Sequence, residues 1–134
     1  FIEELFEENI RVFVPKVLND KLISIEIFPD SKFIQNSWGI FEPISNEDSG
    51  EKEFDFVITP LLYCDNQGNR VGYGKGFYDK FFSELNSLTQ KIGINYFNPE
   101  EKIDDLETFD IPLDYLVTTT EVLSFGIFAS KFSK

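Results

Sequence analysis

An α/β fold, a three-layer sandwich about a mostly parallel central sheet, is what the sequence predicts, and three stretches predict it. Residues 54–62 (F-D-F-V-I-T-P-L-L) form a near-continuous apolar run, the signature of a strand covered on both faces. Apolar residues then recur at Phe77, Phe81, Leu85 and Leu88, with Tyr78, Phe82 and Leu85 on a neighbouring row; this is amphipathic-helix spacing over residues 77–89. Residues 91–97 (K-I-G-I-N-Y-F) are again strand-like. Strand, helix and strand in that order imply a right-handed crossover between parallel strands. Ligands bind such sheets beyond the carboxyl ends of the strands, so the segment that leaves the first strand is the place to look for a site.

The remaining elements follow in order. Residues 1–10 read as the tail of a helix, with Ile2, Leu5 and Phe6 on one face and glutamates toward water. Residues 11–17 (R-V-F-V-P-K-V) read as a β-branched strand whose Pro15 suits a strand end or a sheet edge. Asn19-Asp20 is a turn, and Ile23, Ile25 and Ile27 then alternate with Ser24 and Glu26, the period of a strand with one wet face. Regular structure fades over residues 29–53. Asn36-Ser37-Trp38-Gly39 is turn-like there, and its Trp38, the single tryptophan, either caps the core or stacks on a planar ligand. Residues 45–53 are acidic and read as a solvated loop. Residues 65–69 form a turn, 99–106 an acidic loop or a short helical turn, 114–119 lead into a strand and 121–133 are a strand with a frayed tail. With no internal repeat or change of composition, residues 1–134 read as one domain, long enough for a hydrophobic core.

Composition excludes several functions. The net charge of −12 argues against nucleic acid and anionic membranes as partners, since both would repel the chain. The absence of histidine removes imidazole acid–base catalysis, imidazole metal ligands and any triad that needs them. Cys64 is the only cysteine, so no internal disulfide can form, in keeping with a reducing compartment. No apolar run is long enough for a membrane span, and the glutamates near Phe1 have the wrong charge for a signal peptide; a cytoplasmic protein is expected. The chain starts at Phe1 and contains no Met, so it is expected not to be an intact translation product.

The unusual chemistry lies in residues 68–79, G-N-R-V-G-Y-G-K-G-F-Y-D. Gly72, Gly74 and Gly76 alternate, with Arg70 before them and Lys75 within. Glycine lets backbone N–H groups approach a ligand closely, and a glycine loop that opens a helix directs donors and the positive dipole end at one spot. Arg70, Lys75 and Lys80 make a basic island in an acidic chain. A phosphate site is one reading; a turn that merely lets strand and helix pack closely is the other. The loop is neither a P-loop nor a dinucleotide fingerprint, because Phe77 stands where the latter's third glycine would be.

Preceded by F-D-F-V-I-T-P-L-L-Y-C-D-N-Q-G-N, the string R-V-G-Y-G-K-G-F-Y-D closely resembles the signature of the 5-formyltetrahydrofolate cyclo-ligase (methenyltetrahydrofolate synthetase) family. W-G-I-F-E-P at residues 38–43 and D-I-P-L-D-Y-L-V-T at residues 110–118 resemble further family segments in the right order. The resemblance implies the three-layer α/β fold and the ATP- and Mg²⁺-dependent closure of 5-formyltetrahydrofolate to 5,10-methenyltetrahydrofolate, with ADP and phosphate released. It implies that the formyl oxygen is phosphorylated, that a neighbouring folate nitrogen attacks the same carbon, and that phosphate leaves. It implies a nucleotide-binding run of Arg70, Val71, Gly72, Tyr73, Gly74, Lys75, Gly76, Phe77 and Tyr78, with Arg70 and Lys75 as the catalytic cations and residues 73–77 also touching the reduced folate. Asp79 and Asp110 would hold Mg²⁺, although without the resemblance Asp79 is equally a first-turn acid that favours the helix dipole and Asp110 an ordinary exposed acid. A monomer is implied for the full-length protein. A basic helix, a strand and a folate-contacting glutamate of the family pattern do not occur in residues 1–134, so this chain alone is expected to bind ATP weakly, to make little or no product and to associate. A non-catalytic nucleotide- or folate-binding module and an inactive fragment are the alternatives.

Overall fold

A computed structural model describes residues 1–71, 76–96, 99 and 111–125. The chain divides into two compact units, Phe1–Glu51 and Lys52–Lys134.

The first unit opens with helix α1 (Ile2–Glu7), followed by the antiparallel hairpin of β1 (Val12–Leu18) and β2 (Lys21–Ile27). The hairpin turns on Asn19 and Asp20, both at positive φ (51° and 59°), the geometry of the tight turn whose twist matches that of its strands. Pro15 sits mid-strand opposite Ser24, tolerated because β1 pairs on one side only. The alternation in β2 does not leave a wet face. Ser24 is buried along with Leu22, Ile23, Ile25 and Ile27, because its carbonyl and hydroxyl both bond Ser49, at 2.8 Å each. The segment expected to be a mobile acidic loop thus covers the strand. Arg11 and Glu26 form a two-point ion pair at the strand ends, which holds the Glu26 carboxyl below its ordinary range.

Residues 29–53 contain a hairpin that the sequence conceals, β3 (Phe33–Gln35) with β4 (Phe41–Pro43). Its turn is held by Asn36, whose Oδ1 accepts the N–H groups of Trp38 and Ile40 at 2.9 and 3.0 Å, and by Gly39 at φ 79°. Trp38 is 84% exposed at the tip, so it does not cap a core.

The second unit carries a four-stranded sheet in the order β10-β9-β8-β5. β5 (Phe56–Thr59), β8 (Gln90–Ile94) and β9 (Tyr115–Val117) are parallel, and β10 (Val122–Ser124) runs antiparallel at the edge. Between β5 and β8 come a small hairpin, β6 (Tyr63–Cys64) with β7 (Arg70–Val71), and helix α2 (Phe77–Ser83). The fold is therefore α/β with a mostly parallel sheet, as the sequence predicts. Its core is Cys64, Leu113 and Leu116, with Leu61, Leu123 and Phe125 packed around them. Gly93 in β8 gives this core its closeness: a Cβ there would lie 2.5 Å from Leu61 and 2.6 Å from Leu113.

Two expectations for this unit are corrected. β5 is covered on one face only, since Phe56 is 64% exposed while Thr59 is buried. Helix α2 ends at Ser83 rather than near residue 89, because Asn86 leaves the helical path to donate its N–H to the Lys52 carbonyl at 2.9 Å. Leu88 is consequently exposed instead of completing an apolar row.

Candidate functional site

The connection from β5 to α2 carries the candidate residues, and it begins with a turn built on Asp65. This side chain is fully buried. Its Oδ1 accepts the N–H groups of Gln67 and Asn69 at 2.9 and 3.0 Å, and its Oδ2 accepts the Asn69 side-chain amide at 3.2 Å. A carboxylate satisfied by local backbone donors makes a rigid turn from a flexible composition. Gly68 completes the turn at φ 85°, a value that favours glycine, and its carbonyl accepts the Leu113 N–H at 2.7 Å. The hairpin thereby fixes Arg70, the first residue of β7, opposite Cys64.

Arg70 is the centre of the site. Its side chain is 6% exposed, and Nη2 lies 3.4 Å from Asp79 Oδ1 in the first turn of α2. The guanidinium carbon is 5.7 Å from the ring centres of both Tyr78 and Phe82. Nε is buried and has no acceptor among the described residues. A buried donor left without an acceptor is costly, and a ligand anion is one group that would satisfy it. Burial pushes the Tyr78 phenol up, against the opposing pull of the Arg70 charge.

Asp79 bridges three parts of the chain. Besides Arg70, its Oδ1 accepts the Ile111 N–H at 3.1 Å. This carboxylate does not bond the helix's own N–H groups, and the α2 N-cap, Gly76 at φ 68°, provides no side-chain cap either. The structure instead ties the start of α2 to β7 and to the residue that follows Asp110 in the sequence. Asp79 Oδ2 has no hydrogen bond among the described residues, and the side chain is 17% exposed, so one oxygen remains able to meet a cation.

Gly72, Tyr73, Gly74, Lys75 and Asp110 lie outside the described residues. Of the rest of the predicted run, Val71 pairs with Tyr63 through β7, Phe77 and Tyr78 are half-buried on α2, and Gly76 is exposed with open space where a Cβ would stand. Two participants escaped sequence reasoning. Ile111 contributes through its backbone, which no residue type announces. Phe82 belongs to the helical row noted in the sequence, but its place against Arg70 depends on where β7 runs. A shallow cleft of about 310 Å³ in the first unit, lined by Ile25, Ile27, Lys32, Pro43 and Ile44 among others, contains none of the predicted site residues.

Residues 1–119 match the protein family described as the 5-formyltetrahydrofolate cyclo-ligase family. The chain belongs to that family. A cyclo-ligase from Haemophilus influenzae, named 5-formyltetrahydrofolate cyclo-ligase, is 32% identical over 123 residues, covering 87% of this chain and 66% of that protein. The protein of the same name from Escherichia coli K12 is 32% identical over 130 residues, covering 90% of this chain and 70% of its own length. Among solved structures, the 5,10-methenyltetrahydrofolate synthetase of Aquifex aeolicus superposes with a TM-score of 0.73 at 28% identity, covering 94% of this chain and 66% of that one. This cyclo-ligase family chain thus spans about two thirds of the length of these relatives.

Proposed function

We propose that this chain carries the nucleotide-binding part of a cyclo-ligase that closes 5-formyltetrahydrofolate to 5,10-methenyltetrahydrofolate at the expense of ATP. The observation that carries the reading is Arg70, a cation held almost wholly out of water at the end of the glycine-rich connection, with a buried N–H that lacks an acceptor among the described residues. A fixed guanidinium is the side chain best suited to phosphate oxygens, because its planar donors match their geometry and its charge is permanent. Arg70, together with Lys75 and the backbone donors of residues 71–78, would hold the triphosphate.

The reaction asks the protein mainly to align two bound reactants and to offset negative charge. The γ-phosphoryl group moves from ATP to the formyl oxygen with release of ADP, a neighbouring folate nitrogen bonds to the formyl carbon and gives up its proton to water, and the carbon–oxygen bond breaks to release phosphate. Arg70 and Lys75 offset the phosphate charge while residues 73–77 contact the folate. Asp79, through the oxygen that has no hydrogen bond among the described residues, and Asp110 would hold magnesium, which when bound neutralises phosphate charge. The Ile111 link supports pairing these two acids, because it brings the chain immediately after Asp110 to the Asp79 carboxylate. With only 7 residues, helix α2 offers a weak dipole, and the Arg70 charge is the stronger attraction for a phosphate.

The test is a single-turnover optical assay with protein in excess, because the cyclised product absorbs at longer wavelength than its substrate. Product is expected only when ATP and Mg²⁺ are both supplied, and Asp110→Asn should raise the magnesium requirement. Product formed equally without ATP would refute the proposed reaction. A chain that binds ATP·Mg²⁺ and the folate yet forms no product would be a non-catalytic binding module.

A further inference from the structure

Arg70 is held by more than its acid. The Asp79 contact, at 3.4 Å, is long for a charge-assisted hydrogen bond, which ordinarily falls at about 2.7–2.9 Å. One long contact to one nitrogen does not set the plane of a guanidinium. Two aromatic rings stand where that constraint is missing. Tyr78 and Phe82 are four apart on α2, so they lie on one helix face, and they meet edge to face with centres 5.9 Å apart and planes at 60°. Each ring centre is 5.7 Å from the Arg70 guanidinium carbon, within the range of cation–π attraction. Phe82 is the only buried residue of the helix, at 6% exposure. The other cation near its ring, Lys91, at 6.0 Å, is tied by Nζ to Asp114 Oδ2 at 3.1 Å, and the Lys91 N–H bonds that same oxygen at 2.8 Å. Lys91 is thus held by its own acid.

We infer that Phe82 is a positioning residue: with Tyr78 it forms an aromatic cradle that fixes the plane of the Arg70 guanidinium and presents it to an anionic ligand in one orientation. The inference rests on the reading of Arg70 as a phosphate ligand and extends it to residues that need not touch the nucleotide. Rings suit this task because they attract the cation through their faces without consuming its N–H donors, which stay available for oxygens. A leucine at position 82 would occupy much of the space but supply no ring face.

The test has two arms. In the ligand-free protein, the Arg70 Nε–H nuclear magnetic resonance signal should show a ring-current shift and slow exchange with water. Phe82→Leu should reduce the shift to what the Tyr78 ring alone supplies and speed the exchange, and Tyr78→Phe, which keeps its ring, should leave both in place. In the second arm, a double-mutant cycle on ATP·Mg²⁺ affinity, Phe82→Leu should weaken binding roughly threefold to tenfold but have no further effect in an Arg70→Ala background. Tyr78→Leu, on the less buried ring, serves the same cycle if Phe82→Leu melts below the assay temperature. An unshifted resonance, or an equal loss in the Arg70→Ala background, would overturn the cradle and leave the phosphate reading intact. Unchanged affinity in Arg70→Ala itself would overturn the phosphate reading, and with it the presentation of Arg70 to a ligand; a shifted resonance would mark that as the failure.

Discussion

Gly68 is confined both by its backbone angle and by its neighbours. Its φ of 85° is left-handed, and a Cβ there would lie 2.7 Å from the Leu113 carbonyl oxygen, a backbone atom that cannot rotate away. Gly68→Ala is expected to lower the melting temperature, because left-handed backbone alone costs an L-residue roughly 1–2 kcal/mol and the carbonyl contact adds to it. For Gly93→Ala the three nearest atoms are leucine methyl groups, which can shift, so the sheet should absorb part of that change; a larger loss for Gly93→Ala than for Gly68→Ala would contradict this ranking. Cys64 illustrates the opposite case, a reactive residue type made inert. Burial, with the Asp65 charge adding to it, pushes its thiol up to about 12. Native protein should therefore resist a thiol reagent at neutral pH and react at once when unfolded. Because the folded thiol ionises later than the unfolded one, the stability it contributes is complete below the ordinary thiol range and is lost as pH rises toward 12. Cys64→Ala should flatten that alkaline decline in the unfolding curve.

At the scale of elements, the β6–β7 hairpin owes its shape to one carboxylate. Asp65→Ala removes the acceptor of the Gln67 and Asn69 N–H groups, and since Gln67 is exposed and Asn69 half-buried, each lost bond costs about 0.5–1.5 kcal/mol. Hydrogen exchange should show these two amides losing protection while those of β1 and β2 keep theirs; uniform loss across the chain would mean the turn is not a local unit. This hairpin was legible as a turn because Asp, Asn and Gly occur where turn chemistry needs them. The β3–β4 hairpin was not, since strands of three residues are too short to show alternation. Helix α2 was legible at its start, which local residues set, and misjudged at its end, which a bond from Asn86 to distant Lys52 sets. Ser24 in β2 failed for the same reason: its polar type suggested water, and Ser49 supplied the partner instead.

At the scale of the molecule, the parallel core of the fold could be read from strand, helix and strand in sequence. The glycine string and its neighbours also carried the family. What the sequence could not supply was the wiring of the site. Arg70 and Asp79 were separately assigned to phosphate and to metal, and the structure joins them to each other and to Ile111. An ion pair between two candidate ligand residues couples their tasks, so a nucleotide·metal complex would have to draw on both partners of an existing contact.

The most direct test of this account is a calorimetric titration of the chain with ATP·Mg²⁺ and, separately, with adenosine, comparing the unaltered protein with Arg70→Ala. A guanidinium that holds phosphate discriminates between the two ligands. ATP·Mg²⁺ affinity should fall roughly tenfold or more on loss of Arg70, as expected for a charge-assisted contact of about 1.5–3 kcal/mol, while adenosine binding should not change. Equal ATP·Mg²⁺ affinity in the two proteins, or a matching loss for adenosine, would show that Arg70 is a structural cation and would contradict the account at its centre.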